Sequence, residues 1–159
     1  MNYIEELRKL VGKRPVIMVG AGVLIWDASN RLLMIKRTDN NCWGIPGGGM
    51  ELDESLEETA RRETREETGL EVGSVSLFGV FSGPEFYYEY PNGDQAHIVS
   101  VVYLTRDVRG EIRLSSEHSE SGFFDLQNLP AELSPPVRPI LLRARTPGIF
   151  REKVFSTNI

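Results

Sequence analysis

Residues 43–70 read WGIPGGGMELDESLEETARRETREETGL, and this stretch decides which fold the chain is expected to adopt. It begins with a run of three glycines at 47–49, continues through a short acidic turn, and then changes to a helical pattern. That pattern predicts a helix over about 55–68, and the side chain of Asp53 or Ser55 can accept hydrogen bonds from its first free amides. The glycines allow the backbone before the helix to turn tightly and to approach a ligand.

One face of the predicted helix begins apolar and becomes acidic. At roughly 100° per residue, the members of this face are Leu56, Ala60, Glu63 and Glu67, with Glu66 beside them. The apolar half should point into the protein, so the carboxylates that follow it would be crowded and partly dehydrated, and they would need a positive partner. Because these groups offer only oxygen ligands, a hard divalent cation, Mg²⁺ or Mn²⁺, is the natural partner.

The remaining charged side chains of the helix offer little compensation. Arg61 and Arg65 point away from the acidic face, and Arg62 is expected to stack between Glu58 and Glu66 at four-residue spacing. The alternative is an ordinary solvated helix rich in Glu and Arg, and this is the expected state of its outward-facing side chains. For the three acidic side chains of the inward face, spacing alone leaves both interpretations open.

The same stretch resembles the Nudix box, written G-x5-E-x7-R-E-(aliphatic)-x-E-E-x-G-(aliphatic). Over residues 48–70 every fixed identity is present: Gly48, Glu54, Arg62, Glu63, Glu66, Glu67, Gly69 and Leu70. Thr64 stands where an aliphatic residue is usual, but Thr is β-branched and can still pack. The residues before the box also resemble the family's usual lead-in: Trp43, Pro46 and Gly47. The chain is therefore identified as a member of the Nudix family.

The resemblance implies the fold class, an α/β/α sandwich in which a mixed β-sheet lies between helices. It also implies a site for Mg²⁺ or Mn²⁺ whose ligands are the carbonyl of Gly48 and the carboxylates of Glu63, Glu66 and Glu67. Members of the family hydrolyse a nucleoside diphosphate linked to another moiety, by attack of water on a phosphorus of the pyrophosphate. The function that the resemblance implies is therefore that of a MutT-like nucleotide pyrophosphohydrolase with a small-molecule substrate.

Four further residues receive expected roles from the resemblance. Glu54 and Arg62 are expected to hold the glycine loop and the helix in place through charge-assisted hydrogen bonds rather than to touch substrate. The general base is a box glutamate in some family members and a glutamate on a later loop in others. The later candidates are Glu117 and Glu120, and Glu120 is favoured because its distance to Phe123 resembles the family's acid-before-aromatic spacing. The alternative for Glu120 is an exposed loop residue without a catalytic role.

For two features outside the box, the sequence allows either a contact with substrate or a structural role. Arg37 closes a predicted strand before the glycine loop, where it either contacts substrate phosphates or solvates a strand end. Tyr87, Tyr88 and Tyr90 either offer a ring on which a base stacks or pack as part of a half-exposed strand. In the family, a downstream tyrosine is associated with diadenosine polyphosphate hydrolases and a downstream proline with ADP-ribose hydrolases. These tyrosines and Pro84 lie only near those positions, so they do not decide between the two substrates.

The charge of the chain is concentrated in one place. The 159 residues have a formal net charge of -5, and positions 51–67 hold eight acids and three bases, so the remainder is balanced. This distribution suits cation capture and argues against a broad contact with duplex DNA.

The length and the ordinary composition predict a single domain, 1–159. The oligomeric state, monomer or homodimer, is left open.

The expected compartment is the cytoplasm. The one cysteine, Cys42, rules out an internal disulfide and suits a reducing environment. The charged N-terminal segment is not that of a signal peptide. No stretch approaches the roughly 20 apolar residues of a membrane span, so no membrane partner is expected.

Hydrophobic periodicity predicts the elements outside the box. In chain order they are a helix at 3–11, a buried strand at 16–26, its hairpin partner at 31–37, strands at 75–81, 85–90 and 97–105, short strands at 111–114 and 122–126, and a helix at 137–145. A loop that carries Glu117, His118 and Glu120 is expected between the two short strands.

Three other functions compete with hydrolysis of a small nucleotide. The first is removal of pyrophosphate from RNA 5′ ends, which predicts a basic groove that the balanced charge outside the box disfavours. The second is a non-catalytic nucleotide-binding or regulatory domain, which would be expected to lose box carboxylates that this chain keeps. The third is an isomerase of isoprenoid diphosphates, for which Cys42 is the one cysteine available.

Overall fold

The computed structural model describes residues 3–146, which form three α-helices and ten strands. The helices are α1 (Tyr3–Val11), α2 (Leu56–Thr68) and α3 (Arg138–Ala144), and two 3-10 helices lie at Pro84–Phe86 and Pro135–Val137. The strands are β1 (Val16–Ile25), β2 (Leu32–Arg37), β3 (Trp43–Gly44), β4 (Gly47–Gly49), β5 (Glu71–Val72), β6 (Ser76–Phe81), β7 (Tyr87–Glu89), β8 (Gln95–Thr105), β9 (Val108–Arg109) and β10 (His118–Phe124). None of the described helices is long and apolar enough to cross a membrane.

The main sheet is mixed, as predicted. Its order is β4-β1-β8-β6, and β7 also pairs with β8. The long strands β1 and β8 run parallel from the pair Val16 and Ala96 to the pair Ile25 and Thr105. All other pairs of this sheet are antiparallel. A second, antiparallel sheet has the order β10-β2-β3, and β5 pairs with β9.

Helices cover both faces of the main sheet, which confirms the predicted α/β/α sandwich. On one face, α2 packs through Ala60 against Val23 and other buried side chains of β1 and β8. On the other face, α3 packs through Leu141 against a cluster that includes Phe78 and Val102. Each large apolar side chain buried in this way contributes about 1.5–3 kcal/mol to stability.

Helix α2 begins one residue later than the start predicted from the pattern, with Ser55 as its N-cap. The Ser55 hydroxyl accepts a hydrogen bond from the Glu58 amide, and the Glu58 carboxylate accepts one from the Ser55 amide, which forms a capping box. Gly69 ends the helix in the left-handed region at φ 74°, and its amide donates to the carbonyl of Arg65. Asp53 is not the cap; it lies in the turn at φ 67°.

The predicted β1–β2 hairpin is wrong. A turn does form, because the Asp27 carboxylate accepts hydrogen bonds from the amides of Ser29 and Arg31. Beyond it, a single bridge between Trp26 and Leu32 joins the two segments. Both edges of β1 are occupied, one by β8 and the other by β4, so β2 leaves the turn to pair with β10 in the second sheet. The first half of β1 is also less buried than predicted.

The segment after β8 differs from the prediction as well. Residues 111–114 are not a strand, because the chain there bonds to the end of α2. The amide of Arg113 donates to the carbonyl of Thr68, and the amide of Ser115 donates to that of Glu67. His118 and Glu120, predicted to lie in a loop, belong to β10. These contacts bring the start of β10 to the acidic end of α2.

Candidate metal and substrate site

Strand β4 lies directly against the acidic face of α2, and this approach requires glycine. A Cβ atom on Gly48 would lie 2.5 Å from both Cδ and Oε1 of Glu63. On the opposite side, a Cβ atom on Gly20 of β1 would lie 2.6 Å from the carbonyl oxygen of Gly48. Glycines at these positions therefore let β1, β4 and the carboxylate of Glu63 stack without intervening side chains.

Arg62 connects the acidic groups around this approach. Its guanidinium donates to Oε1 of Glu54 at 2.6 Å, to Oε2 of Glu54 at 3.0 Å and to the carbonyl of Gly49 at 3.0 Å. It also donates to Glu63 at 2.8 Å and, more weakly, to Glu66 at 3.3 Å. The Arg62 guanidinium holds the pKa of Glu54 down at about 2. The ion pair joins the start of the box to the middle of α2.

The predicted stacking of Arg62 between Glu58 and Glu66 is wrong for Glu58. The Glu58 carboxylate bonds to the Ser55 amide of the N-cap, so it belongs to the capping box. Arg62 instead turns toward the glycine loop.

Glu67 is the most deeply placed carboxylate of the box. Its Oε2 accepts a hydrogen bond from the Gly47 amide at 2.8 Å, and the side chain is only 11% exposed. Burial raises the pKa of Glu67 to about 8, and burial also raises the pKa of Glu63. Glu66 is 55% exposed and lies at the rim. Of the three carboxylates at the acidic face of α2, those of Glu63 and Glu67 are therefore in surroundings that disfavour their negative charge.

His118, which was expected in a loop and given no role at the site, is a neighbour of this cluster. Its Nε2 lies 3.6 Å from Oε1 of Glu67, and its Nδ1 lies 3.2 Å from the hydroxyl of Ser115. The ring is almost fully buried, and burial lowers the pKa of His118. No local pattern marks this residue, because its place depends on the bonds that residues 113–115 make to the end of α2.

The structure separates the two acids that were considered as a later general base. Glu120 faces Lys36 across β2 and β10, and their side chains form an ion pair at 2.8 Å, with Glu120 56% exposed. Glu117 lies just before β10, and repulsion from its charge contributes to the raised pKa values of Glu63 and Glu67. The charge of Glu117 therefore acts on Glu63 and Glu67, whereas Glu120 is held by Lys36.

Arg37 has a protein partner of its own. Its guanidinium forms two hydrogen bonds with the Asp39 carboxylate, both at 2.9 Å. The positive charge of Arg37 nevertheless opposes the rise in the pKa of Glu67, so this residue also acts on the cluster. It lines a small cavity of about 110 Å³ together with Tyr88 and Tyr90.

Two larger cavities open beside the glycine loop. One of about 180 Å³ has a mainly apolar lining that includes Ile98 and Val137. The other, of about 230 Å³, is bounded by polar side chains that include that of Glu63. Tyr90 lines both cavities, and burial raises the pKa of its phenol.

Comparison with known proteins identifies the family. The model of the NUDIX domain matches residues 16–144. The chain belongs to the Nudix family. It is 39% identical over 109 residues to an ADP-ribose pyrophosphatase from Methanocaldococcus jannaschii, a match that covers 67% of this chain and 61% of the relative. It is 40% identical over 97 residues to a MutT-like protein from Streptomyces ambofaciens, covering 61% of this chain and 56% of that protein. The chain thus spans about three fifths of the length of these relatives.

Solved structures give the same assignment. The crystal structure of a MutT Nudix hydrolase from Burkholderia pseudomallei superposes with a TM-score of 0.68 at 32% identity. The match covers 82% of this chain and 98% of that one. The similarity therefore extends beyond the box to the sheet and to the helices around it.

Nudix proteins generally use divalent metal ions, and the donor set of this member fits such an ion. Within residues 3–146, no group of three or more His, Cys, Asp or Glu side chains is already gathered at metal-binding distance. The carboxylates of Glu63 and Glu67 instead bond to Arg62 and to the Gly47 amide. Desolvation raises the pKa values of both groups, and their oxygens are ligands that Mg²⁺ and Mn²⁺ prefer.

Proposed function

We propose that this Nudix protein hydrolyses the pyrophosphate bond of a nucleoside diphosphate linked to another moiety, in a reaction that depends on Mg²⁺ or Mn²⁺. The observation that carries the proposal is the position of Glu63 and Glu67. The carboxylate of Glu67 is buried and that of Glu63 is partly buried beside the glycine loop, and that loop borders cavities large enough to admit parts of a nucleotide. The M. jannaschii relative, an ADP-ribose pyrophosphatase, supports the same class of reaction.

Four groups would hold the cation: the carbonyl of Gly48 and the carboxylates of Glu63, Glu66 and Glu67. When bound, Mg²⁺ or Mn²⁺ neutralises phosphate oxygens and makes a water molecule more acidic. Arg62 orients Glu63 and is itself fixed by Glu54, so this pair positions the cluster without touching substrate. The Gly47 amide orients Glu67 in the same way.

The chain must also accept a proton from the attacking water. As the water oxygen bonds to phosphorus, the bond from phosphorus to the bridging oxygen breaks, and the water proton passes to a carboxylate. We assign this role to Glu117, because it is exposed and directly precedes His118, whose ring lies 3.6 Å from Glu67, and because its charge acts on Glu63 and Glu67. Glu120, the candidate favoured by spacing, would first have to leave Lys36.

A substrate panel tests the proposal. Purified protein would be incubated with ADP-ribose, other nucleotide sugars, nucleoside triphosphates, diadenosine polyphosphates and 5′-triphosphate RNA, each with Mg²⁺, with Mn²⁺ and with a chelator. We expect cation-dependent cleavage of at least one class. Cleavage of the RNA alone would favour the RNA alternative, and binding without any cleavage would favour a regulatory domain.

Matched variants make the panel specific to the box. Glu66→Gln and Glu67→Gln should each reduce turnover by at least tenfold without unfolding the protein, because the amide keeps the shape and removes the charge. Glu71→Gln is the control, since Glu71 is an exposed acid immediately after the box. Near-normal turnover in both box variants would contradict the metal role.

A single domain over 1–159 and a location in the cytoplasm stay predictions.

A further inference from the structure

The two large cavities are neighbours that share one wall. Met18, Gly49 and Tyr90 line both of them. The glycine loop forms part of each boundary, and Glu63 reaches the second cavity. A linear molecule whose pyrophosphate lay against the loop would therefore place one end in each cavity. The chemistry of the two cavities then describes the two ends of the substrate.

The first cavity suits a flat, uncharged ring. None of the described residues that line it is Asp, Glu, Lys or Arg. Its side walls are apolar, with Ile45 and Ile98 among them, and its polar side chains are Ser100 and Tyr90. Gly20 and Gly22 of β1 form part of its wall. A nucleobase fits this lining, held mainly by packing.

The second cavity carries excess negative charge. Three carboxylates line it, those of Glu51, Glu63 and Asp94, beside the single basic residue Arg8. Arg8 offsets only part of this charge, and the two terminal nitrogens of its guanidinium are already bonded to backbone carbonyls. It donates to the carbonyls of Gly12, Arg14 and Gln95 at 3.2, 2.8 and 2.7 Å, and its Nε lies 3.7 Å from Asp94.

This charge pattern separates two classes of substrate. In a nucleoside triphosphate, the group beyond the diphosphate at the loop is a further phosphate, and the carboxylates of Glu51 and Asp94, which are not among the cation ligands, would repel it. In a nucleoside diphosphate sugar, the corresponding group is neutral and rich in hydroxyls, which donate hydrogen bonds to carboxylates. The side chain of Asn92, which bonds to Asp94 at 2.9 Å, adds a further polar group to the lining.

We propose that the substrate is a nucleoside diphosphate sugar, with its base in the apolar cavity and its sugar in the acidic one. The proposal rests on the hydrolysis proposed above and narrows it. Helix α1 is part of this site, since Ile4 and Arg8 line the acidic cavity and the Tyr3 amide donates to Glu51 at 2.9 Å. Glu51 and Asp94 are the residues that determine specificity.

The test compares kcat/KM for ADP-ribose and UDP-glucose with that for ATP and dGTP, using the full chain with Mg²⁺. We expect at least a tenfold preference for the sugars, with a nucleoside monophosphate and a sugar phosphate as products. Glu51→Gln and Asp94→Asn should each reduce the ratio of sugar to triphosphate by at least threefold, because each removes one repelling charge. Glu71→Gln should leave the ratio unchanged.

The outcomes separate this inference from the proposed function. Hydrolysis of triphosphates as fast as that of sugars would overturn the assignment of the acidic cavity and leave the hydrolase intact. An unchanged ratio in both variants would overturn the roles of Glu51 and Asp94. Absence of hydrolysis with every compound would overturn both proposals. A loss of folding would lower all four rates together, so the ratio remains informative, and thermal unfolding of each variant checks this point.

Discussion

Replacing one glycine of the loop should distort the acidic cluster, while replacing its neighbour should not. A methyl group on Gly48 would lie 2.5 Å from Oε1 of Glu63 and 2.7 Å from its Oε2, distances that real contacts do not reach. The Glu63 side chain would have to rotate and give up its 2.8 Å hydrogen bond to Arg62. On Gly49 the same methyl group meets only Ile4, at 3.9 Å, which is an ordinary contact.

The two variants differ in this clash and share the other effects of the substitution. Both remove a glycine from β4, where neither backbone is in the left-handed region, so both gain about 0.4–1 kcal/mol from a less flexible unfolded chain. Loss of a hydrogen bond between charged groups costs about 1.5–3 kcal/mol. Gly48→Ala should therefore be less stable than Gly49→Ala by about 1.5–3 kcal/mol.

Urea unfolding followed by circular dichroism measures this difference. With a slope of about 1–3 kcal/mol per molar urea, the midpoint of Gly48→Ala should fall roughly 1 M below that of Gly49→Ala. Gly48→Ala should also lose at least tenfold in turnover, because Glu63 leaves its position. Equal midpoints would refute the contact between β4 and α2 on which the site depends.

Other substitutions test the ion pair of Glu54, the choice of general base and the N-cap of α2. Glu54→Gln should lower stability at pH 7. Because the pKa of Glu54 is about 2 in the folded protein against an ordinary 4.5, its contribution to stability is complete above pH 4.5 and is lost as the pH falls through 2. The melting temperatures of variant and wild type should therefore converge in acid. Glu117→Gln should reduce kcat at least tenfold and Glu120→Gln less than threefold; the reverse order in steady-state kinetics would show that the spacing argument for Glu120 was right. Ser55→Ala should cost about 1 kcal/mol in chemical unfolding through loss of the α2 N-cap, and an unchanged stability would mean that the capping box has no energetic role.

The box helix could be predicted closely because its signals are local. Ser55 and Glu58 form a capping box within one turn, and Gly69 supplies the left-handed residue that ends the helix. The acidic face follows from the period of the helix alone. Helical periodicity could not identify the main partners of Arg62, because Glu54 and the Gly49 carbonyl lie outside the helix.

The errors came from contacts between residues distant in sequence. The turn at Asp27 forms as predicted, but β2 pairs elsewhere because β8, which lies far along the chain, occupies the edge of β1. His118 lies beside Glu67 because residues 113–115 bond to the end of α2, and no local pattern encodes that path. Periodicity therefore predicted the helices and strands better than it predicted which of them lie side by side.

Measuring Mn²⁺ binding alongside turnover tests whether the box carboxylates hold the cation that hydrolysis needs. Free Mn²⁺ would be followed by electron paramagnetic resonance while hydrolysis of ADP-ribose is recorded, for the wild type, Glu67→Gln and the Glu71→Gln control. We expect the wild type and the control to bind Mn²⁺ and to gain activity over the same range of concentrations, and we expect Glu67→Gln to lose both. Equal binding by Glu67→Gln, or turnover that persists in the presence of a chelator, would contradict this expectation.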